Sequence, residues 1–308
     1  MGGVFLKITI VVPCYNEEKV LDLFYDELCK WIDDAHEYNI LFIDDGSKDN
    51  TQSCILRLSK KDTRVKFVTL SRNFGKEAAL LAGLENAKRI NSDVVIIIDA
   101  DLQDPPSLIP SMIALHQQGY KHIYAKHKSR KGEPKLKTFF AMRFYSVYSF
   151  FTRDINMEKG ARDFSLMDIK VVDAFLTIKD SVRFTKGICS WVGFEKKCIE
   201  FDYVPRIAGK SKWSFVKLFR YGVSGIHQFS TMYKLMFRTI IVIATIFIMV
   251  DITFSLMNGQ QDYRLFMFEI FFLVIFILLG ALLEVIYSIR NQTLNRPHYI
   301  IDESNLEL

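Results

Sequence analysis

The chain has 308 residues, of which 50% are hydrophobic and 24% charged, and its formal net charge at pH 7 is +5. This balance excludes a disordered or fibrous protein and allows a large buried core. The charge is divided unevenly, because residues 1–230 hold 35 basic and 28 acidic side chains whereas residues 231–308 hold 5 and 7. The sequence therefore predicts a soluble-looking domain followed by a segment suited to a different solvent.

Residues 7–125 alternate short apolar runs with longer amphipathic runs, the pattern of strands followed by helices. The predicted strands are Lys7–Val12, Ile40–Ile43, Val65–Leu70, Val94–Ile98 and His122–Ala125. The predicted helices are Glu17–His36, Asp49–Lys60, Lys76–Arg89 and Ser107–Gln118, with Asp49 and Ser107 as N-caps. This alternation predicts an α/β domain with a mainly parallel sheet and helices on both faces.

Polar clusters follow the first four predicted strands directly. They are Pro13–Glu17, Asp44–Ser47, Ser71–Lys76 and Asp99–Asp104. Ligands of such sheets bind beyond the carboxyl ends of the strands. We therefore expect a binding site where these four clusters meet.

Two of the clusters carry paired carboxylates. Asp99 and Asp101 leave a strand two residues apart, so both can converge on one hard cation that prefers oxygen ligands. Asp44 and Asp45 could accept hydrogen bonds from a base or a ribose, and they also fit an ordinary turn. Neither a GxGxxG nor a GxxxxGKS/T motif occurs, so dinucleotide-binding and P-loop interpretations lose their main support. Five cysteines without a Cys-x-x-Cys pair argue against a disulfide framework and a zinc site of the usual spacing.

Two basic and aromatic stretches follow this domain. Residues 121–153 contain nine Lys or Arg against one acidic residue, and residues 205–220 contain five against none. Such stretches suit a membrane surface, and a nucleic-acid patch has the same composition. The apolar segments that come next in the chain favour the membrane, so no nucleic-acid partner is expected.

Two apolar segments, 235–257 and 265–289, are each long enough to cross a bilayer as a helix. The short linker between them allows only an antiparallel hairpin, and basic residues flank its outer ends, which places both termini in the cytosol. The alternative is a buried helical hairpin of a soluble protein. No secretory signal is visible, because the first apolar run has only five residues.

Four motifs in order carry a family resemblance: Val12–Glu18, Asp44–Ser47, Ser71–Glu77 and Asp99–Pro106. They resemble the GT-A family 2 glycosyltransferases, most closely the polyprenyl-phosphate branch that includes dolichol-phosphate mannose synthases and bactoprenol glucosyltransferases. The resemblance covers nearly the whole chain. It continues through Gly160–Phe164, Lys186–Gly187, Trp191–Phe194, Arg206, Ala208–Trp213 and Arg296–Tyr299.

The resemblance implies a site for a nucleotide sugar and a metal ion. It places Mg²⁺ or Mn²⁺ on Asp99, Asp101 and Gln103, and it makes Asp101 a catalytic residue. A metal ion and cations suit this reaction, since the departing nucleoside diphosphate develops negative charge. The donor-binding set implied by the family is Pro13, Tyr15, Asn16, Glu17, Asp44, Asp45, Arg72, Lys76, Asp99, Ala100, Asp101 and Gln103.

The acceptor implied by the resemblance is a polyprenyl phosphate, undecaprenyl phosphate in bacteria. Arg143, Arg162, Arg206 and Lys212 are the candidates for its phosphate, because arginines suit an anionic head at the membrane face. Family analogy gives Asp163 a basic or orienting role, and the alternative is a structural carboxylate that pairs with Arg162 or caps a helix. The acceptor is already ionised at neutral pH, so a strong general base is less necessary.

The expected activity is inverting transfer of a single sugar, with a UDP-linked donor favoured. A processive polysaccharide synthase is disfavoured, because Trp191 lacks the Gln and Arg of the QxxRW motif that polymerising relatives carry. A non-catalytic scaffold is disfavoured because Asp101 and Gln103 are both present.

The expected organisation has four parts, in a multi-pass protein of the bacterial cell membrane with its catalytic domain in the cytosol. They are a GT-A domain (1–205), an interfacial segment (206–232), a two-helix transmembrane hairpin (233–290) and a cytosolic tail (291–308). The product would be a lipid-linked sugar for cell-envelope glycosylation. A homo-oligomer through the hairpin is one option.

Overall fold

The computed structural model describes residues 4–128, 160–180, 183–202, 232–258 and 262–306. Most of the predicted interfacial segment, together with Arg143, Arg206 and Lys212, lies outside these residues. The acceptor assignments of those three residues therefore stay predictions.

Eight strands of the described residues form one sheet in the order β7-β5-β6-β4-β1-β2-β3-β8. Six of them run in one direction, and β6 and β8 run against their neighbours. The predicted, mainly parallel sheet is confirmed. The strands are β1 (Lys7–Cys14), β2 (Glu37–Asp44), β3 (Val65–Leu70), β4 (Val94–Ile97), β5 (His122–His127), β6 (Ala161–Asp168), β7 (Lys196–Phe201) and β8 (Ile301–Ser304).

Helices precede or follow most of these strands. They are α1 (Leu21–Leu28), α2 (Thr51–Lys61), α3 (Lys76–Arg89), α4 (Ile109–Gln117), α5 (Ile169–Thr177), α6 (Thr185–Trp191), α7 (Met232–Asn258) and α8 (Asp262–Thr293), with a 3₁₀ turn at Pro106–Leu108. The predicted bounds of β3 and α3 agree with the structure, because their apolar patterns coincide with the buried residues.

The predicted first helix, 17–36, and both predicted N-caps are wrong in detail. The chain from Glu17 to Val20 is held as a turn, since the Glu17 backbone N–H donates to the Thr51 hydroxyl. Asn50, not Asp49, occupies the N-cap position of α2, although Asp49 accepts the Thr51 N–H at 3.1 Å. Ser107 lies inside the 3₁₀ turn, because the two prolines before it start that turn first.

The sheet is buried on both faces, as its strands alternate between two cores. In β1, Ile8, Ile10 and Val12 pack in one hydrophobic core with α1 and α2, whereas Val11 packs in the other with α3 and α5. Burial on both faces explains the continuous apolar runs of the sequence. The polar side chains are therefore collected at the carboxyl ends of the strands.

The C-terminal segment is part of the α/β domain. We expected a cytosolic tail over 291–308, but β8 pairs antiparallel with β3 and extends the sheet. The Asn305 side chain accepts the Phe67 N–H at 2.7 Å and donates to the Val65 carbonyl at 3.2 Å. The chain that follows α8 therefore returns to the sheet edge beside the loop after β3.

We expect Asn305→Ala to lower the free energy of unfolding by about 1–3 kcal/mol, because it removes two hydrogen bonds that hold β8 to β3. Thermal unfolding of the full chain in detergent measures the effect. Asp302→Ala, on the exposed face of the same strand, is the control and should change the melting temperature little. Equal melting temperatures for the two variants would contradict the role of Asn305.

The two C-terminal helices contact each other. In α8, residues Ile270–Tyr287 have a mean hydropathy of 2.8 and are long enough to cross a membrane, whereas the apolar part of α7, Arg238–Val250, is shorter. These lengths and compositions refer to the described residues. The predicted two-span hairpin is therefore supported for one helix and stays a prediction for the pair.

Candidate active site

The carboxyl ends of the four parallel strands β1 to β4 lie side by side. Cys14 of β1 is opposite Asp44 of β2, and Asp44 is opposite Thr69 of β3, while Val11 is opposite Ile97 of β4. The loops that follow these strands carry the four predicted polar clusters. The sheet therefore brings the clusters together, as the sequence predicted.

The loop after β1 is hydrogen-bonded to the loop after β2. Asn16 has a positive φ of 52°, its N–H donates to the Ser47 hydroxyl at 2.8 Å, and its side-chain oxygen accepts the Lys48 N–H at 2.8 Å. Tyr15 and Glu17 of the same loop are half-buried, as is Pro13 near the end of β1. These hydrogen bonds fix the shape of the expected nucleotide-binding loop.

Asp44 and Asp45 are both buried, and their carboxylates accept hydrogen bonds from other residues of the protein. The Asp44 carboxylate accepts from the Ser47 N–H and hydroxyl at 3.1 and 2.5 Å. The Asp45 carboxylate accepts the backbone N–H groups of Phe74 and Gly75, and it thereby positions the start of α3. Burial raises the pKa of Asp44, and it raises the pKa of Asp45 to about 6. In this structure Asp45 anchors the loop after β3, a role that its sequence position did not reveal.

Gly46 lies at a close approach between the loops after β2 and β3. Its φ is +63°, and a Cβ placed on it would lie 2.4 Å from the backbone carbonyl carbon of Arg72. The guanidinium of Arg72 stacks 4.1 Å from the centre of the Phe74 ring and is otherwise exposed. Glycine at position 46 therefore lets Arg72 lie beside the carboxylates of β2.

We expect Gly46→Ala to lower the free energy of unfolding by about 1–3 kcal/mol, because both the backbone conformation and the contact with Arg72 become strained. Gly119→Ala is the matched control, since Gly119 also has a positive φ of 107° but open space around its Cβ position. Chemical denaturation compares the two. A Gly46 variant no less stable than the Gly119 variant would show that the close contact is unimportant.

One ammonium group joins two predicted site carboxylates. The Lys76 Nζ donates to Asp99 at 2.8 Å and to Asp163 at 2.6 Å. Asp163 lies at the start of β6, which runs antiparallel to β4, and this pairing brings Asp163 to the carboxyl end of β4. The carboxylate expected on the acceptor side and the carboxylate expected on the donor side therefore share one lysine.

Lys186, at the start of α6, completes this charge cluster. Its Nζ donates to the Ala161 carbonyl at 2.9 Å and lies 3.6 Å from the other oxygen of Asp163. Although burial opposes it, the charges of Lys76 and Lys186 lower the pKa of Asp163. Burial likewise opposes the charge of Lys76, but Asp163 and Asp99 raise its pKa. Asp163 is therefore ionised at neutral pH.

Asp104 and Arg162 form a separate ion pair beside this cluster. The Arg162 Nε and Nη2 donate to the two Asp104 oxygens at 2.8 and 3.2 Å, and the Asp104 side chain is buried. Burial raises the pKa of Asp104 to about 6 against the opposing effect of Arg162. The pairing of Asp163 with Arg162, which was the alternative to an orienting role, is not formed, because Asp163 pairs with Lys76 and Arg162 with Asp104. The charge of Arg162 is therefore largely offset by Asp104.

Comparison with known proteins assigns the family. Residues 9–176, more than half of the chain, match the model of glycosyl transferase family 2. The chain belongs to this family. The enzyme is therefore a glycosyltransferase, and its α/β domain has the GT-A fold that the motifs predicted.

Relatives of the enzyme extend over nearly its full length. An SfII prophage-derived bactoprenol glucosyl transferase of Shigella flexneri is 36% identical and covers 97% of this chain and 99% of its own. A glycosyltransferase of Synechocystis, whose name states no substrate, is 34% identical with coverages of 97% and 95%. Among solved structures, glucosyl-3-phosphoglycerate synthase of Mycobacterium tuberculosis, with Mn²⁺, UDP-glucose and phosphoglyceric acid, matches with a TM-score of 0.48. It is 14% identical over 71% of this chain and 76% of that chain, too weak a likeness to support an argument.

The residues after β4 fit a divalent cation in their chemistry. Asp99 remains about a quarter exposed, and Asp101 is buried with one oxygen accepting the Gln103 N–H at 3.1 Å. Between them Ala100 is buried, and Leu102 has a positive φ of 58°, which turns the chain back on itself. Two carboxylates on one loop, with phosphate oxygens completing the shell, are a common way to hold Mg²⁺ or Mn²⁺. No group of three His, Cys, Asp or Glu side chains forms a metal cage among the described residues.

Lys186 and Asp104 are the site residues that sequence reasoning left without a role. Lys186 belongs to the motif Lys186–Gly187, and Asp104 follows the Asp99–Asp101 pair at once. Position in those motifs was the signal that could have identified both. Their partners, Asp163 and Arg162, lie at least 23 residues away in the chain and become neighbours only through β6.

Proposed function

We propose that the enzyme transfers one sugar, with inversion, from a UDP-linked donor to undecaprenyl phosphate at the cytosolic face of a bacterial membrane. The observation that supports the proposal is the Lys76 bridge, which joins Asp163, the residue proposed for the acceptor side, to Asp99, the residue proposed for the donor side. The names of the bactoprenol glucosyl transferase relatives support a lipid acceptor and a glucosyl donor. The product would be a lipid-phosphate-linked sugar for cell-envelope glycosylation.

The donor would bind across the ends of β1 to β4. The base and ribose would contact Asp44 and the loop Pro13–Glu17. The diphosphate would lie near the positive charges of Arg72 and Lys76. Mg²⁺ or Mn²⁺, held by Asp99, Asp101 and Gln103, would neutralise the charge that develops on the leaving nucleoside diphosphate. Asp45 would act indirectly, because its carboxylate holds the backbone from which Lys76 extends.

Asp163 would orient the acceptor. It would also hold the neighbouring ammonium groups of Lys76 and Lys186 in position. A carboxylate whose pKa is lowered by Lys76 and Lys186 is a weak base. A polyprenyl phosphate needs no strong base, because it is already ionised at neutral pH. Its phosphate oxygen would attack the anomeric carbon while the bond from that carbon to the nucleoside diphosphate breaks.

Helix α8 would lie in the membrane, and α7 would lie there too in the proposed hairpin. Apolar side chains of α8 such as Phe276 and Leu283 are 68% and 65% exposed, which favours a lipid environment for them. A hairpin with both termini in the cytosol agrees with the return of the chain to the sheet as β8. The hairpin could also mediate a homo-oligomer.

The test is a donor survey. Membranes containing the enzyme, supplied with undecaprenyl phosphate, are offered each radiolabelled UDP- and GDP-sugar in turn, and the organic-soluble label is measured. We expect one UDP-sugar to label the lipid, with UDP-glucose the first candidate. Label that enters lipid only from a GDP-sugar would refute the donor assignment, and absence of lipid label from every donor would refute the proposed function.

A further inference from the structure

The motif Arg296–Tyr299 carries part of the family resemblance, yet it takes no part in the site contacts described above. It follows α8 and leads directly towards β8. Tyr299 and the next residue, Ile300, contact two elements that bear proposed donor-binding residues. These elements are the loop after β3, which carries Arg72, and α3, which begins with Lys76.

The loop after β3 is held at both of its ends. At its start, the Ser71 N–H donates to the Ile300 carbonyl at 2.9 Å. Near its end, the Phe74 N–H donates to the Asp45 carboxylate at 2.7 Å. Arg72 lies between these two anchors, so its position depends on the C-terminal segment as well as on β2.

Helix α3 is held by the same segment. The Tyr299 hydroxyl donates to the Glu85 carboxylate. Burial and this hydrogen bond raise the pKa of Tyr299, so the phenol keeps its proton at neutral pH and remains the donor. Glu85 lies about 14 Å from Lys76 along the axis of α3, at 1.5 Å per residue. Because α3 is one unbroken helix, a contact that fixes Glu85 also restricts where Lys76 can lie.

Packing joins the two contacts. Tyr299 and Ile301 pack against the hydrophobic core that the sheet shares with α3 and α5, and Phe74 packs against the same core. The guanidinium of Arg72 stacks on the Phe74 ring at 4.1 Å. A shift of the C-terminal segment would therefore reach Arg72 through this core as well as through Ser71.

We propose that Tyr299 is a positioning residue for nucleotide-sugar binding. Through Glu85 it holds α3, and with it Lys76, in place. The adjacent Ile300 carbonyl holds the start of the loop that carries Arg72. The inference rests on the proposed function, which assigns both cations to the donor diphosphate. Donor affinity then depends on the chain that returns to the sheet after α8.

The test compares Tyr299→Phe with Asn305→Ala, two changes at opposite ends of the contact with β3. Ile300 adjoins the loop after β3, whereas Asn305 bonds to Val65 and Phe67 near the start of that strand. Tyr299→Phe removes one hydroxyl and keeps the ring that packs against the core. The full-length enzyme in detergent is titrated with UDP and with GDP in the presence of Mn²⁺ by calorimetry, and melting temperatures are measured.

We expect Tyr299→Phe to raise the Kd of the nucleotide that the wild type binds more tightly by roughly 3- to 30-fold, the range in which a remote contact acts on a binding site. Asn305→Ala should lower the melting temperature more than Tyr299→Phe does, yet keep the wild-type Kd within about twofold. Tyr299→Phe combined with Glu85→Ala should bind no more weakly than the weaker of the two single variants, because both changes remove the same contact.

The outcomes separate this inference from the proposed function. A Tyr299→Phe variant with the wild-type Kd would overturn the inference, as would equal rises in Kd for Tyr299→Phe and Asn305→Ala, which indicate a general loss of stability. Additive effects of Tyr299→Phe and Glu85→Ala would show that the hydroxyl does not act through Glu85. A wild type that binds UDP but transfers no sugar to undecaprenyl phosphate would contradict the proposed function alone, because the binding comparison needs no acceptor.

Discussion

Asp101→Asn is expected to reduce sugar transfer by on the order of 100-fold or more while the enzyme stays folded. The amide oxygen of Asn can still accept the Gln103 N–H that Asp101 accepts now, so the loop should keep its shape. The lost negative charge weakens the site for a divalent cation, whose contribution to the transition state is worth several kcal/mol. Steady-state turnover and the melting temperature measure the two parts of this expectation.

Asp26→Asn, an exposed position on α1, is the control for the loss of one carboxylate and should leave turnover unchanged. Excess EDTA should lower the turnover of the wild type towards that of the Asp101 variant, and added Mg²⁺ or Mn²⁺ should restore it. A wild type that works at full rate in excess EDTA would refute the metal assignment of Asp99, Asp101 and Gln103.

Lys76→Met is expected to cost both activity and stability. It leaves Asp99 and Asp163 without the ammonium that both contact, and we expect about 2–3 kcal/mol lower unfolding free energy. Turnover should fall on the order of 100-fold, because two like charges then face each other where, in the proposed function, the donor and the acceptor would meet. Chemical denaturation and steady-state kinetics of the full chain measure the two effects.

The pH dependence gives a second readout for Lys76. In the wild type the folded pKa of Asp163 lies below its ordinary value, so the stability it contributes is present above about pH 4 and is lost as the pH falls further. Removing Lys76 raises that pKa towards its ordinary value, so the stability that is lost on acidification below about pH 4 should be smaller in Lys76→Met than in the wild type. Lys88 lies on α3, as Lys76 does, and forms an exposed ion pair with Asp173 of α5. Lys88→Met should therefore lower the free energy of unfolding by no more than about 1 kcal/mol. Similar stability losses in the two variants would contradict the role given to Lys76.

The sequence was informative wherever local pattern and tertiary burial agree. The strand Val65–Leu70 and the helix Lys76–Arg89 were predicted at their observed bounds, because each carries its own apolar periodicity. The first helix was predicted too long at both ends. Its N-terminal part is held as a turn by the contact of Glu17 with Thr51, 34 residues away, and no local pattern announces such a contact.

The sequence predicted which strand ends carry the site residues. It predicted less well which side chains contact each other there. Clusters such as Asp99–Asp104 were located because polar residues follow buried strands directly. The partners of Asp45 and Asp163 were not predicted, since they depend on a loop after another strand and on β6, whose strand pattern lies beyond the regular alternation of the first 125 residues. β8 was missed for a related reason: four residues after a long apolar helix carry too little pattern to indicate a strand.

The mass of the lipid product tests the central claim most directly. Purified enzyme, undecaprenyl phosphate and the preferred UDP-sugar are incubated, and the extracted lipid is analysed by mass spectrometry, with the anomeric configuration read by NMR. We predict undecaprenyl phosphate heavier by one sugar residue, linked through its phosphate with inverted configuration. A ladder of longer products, a retained configuration, or free sugar without lipid product would contradict single transfer to a polyprenyl phosphate.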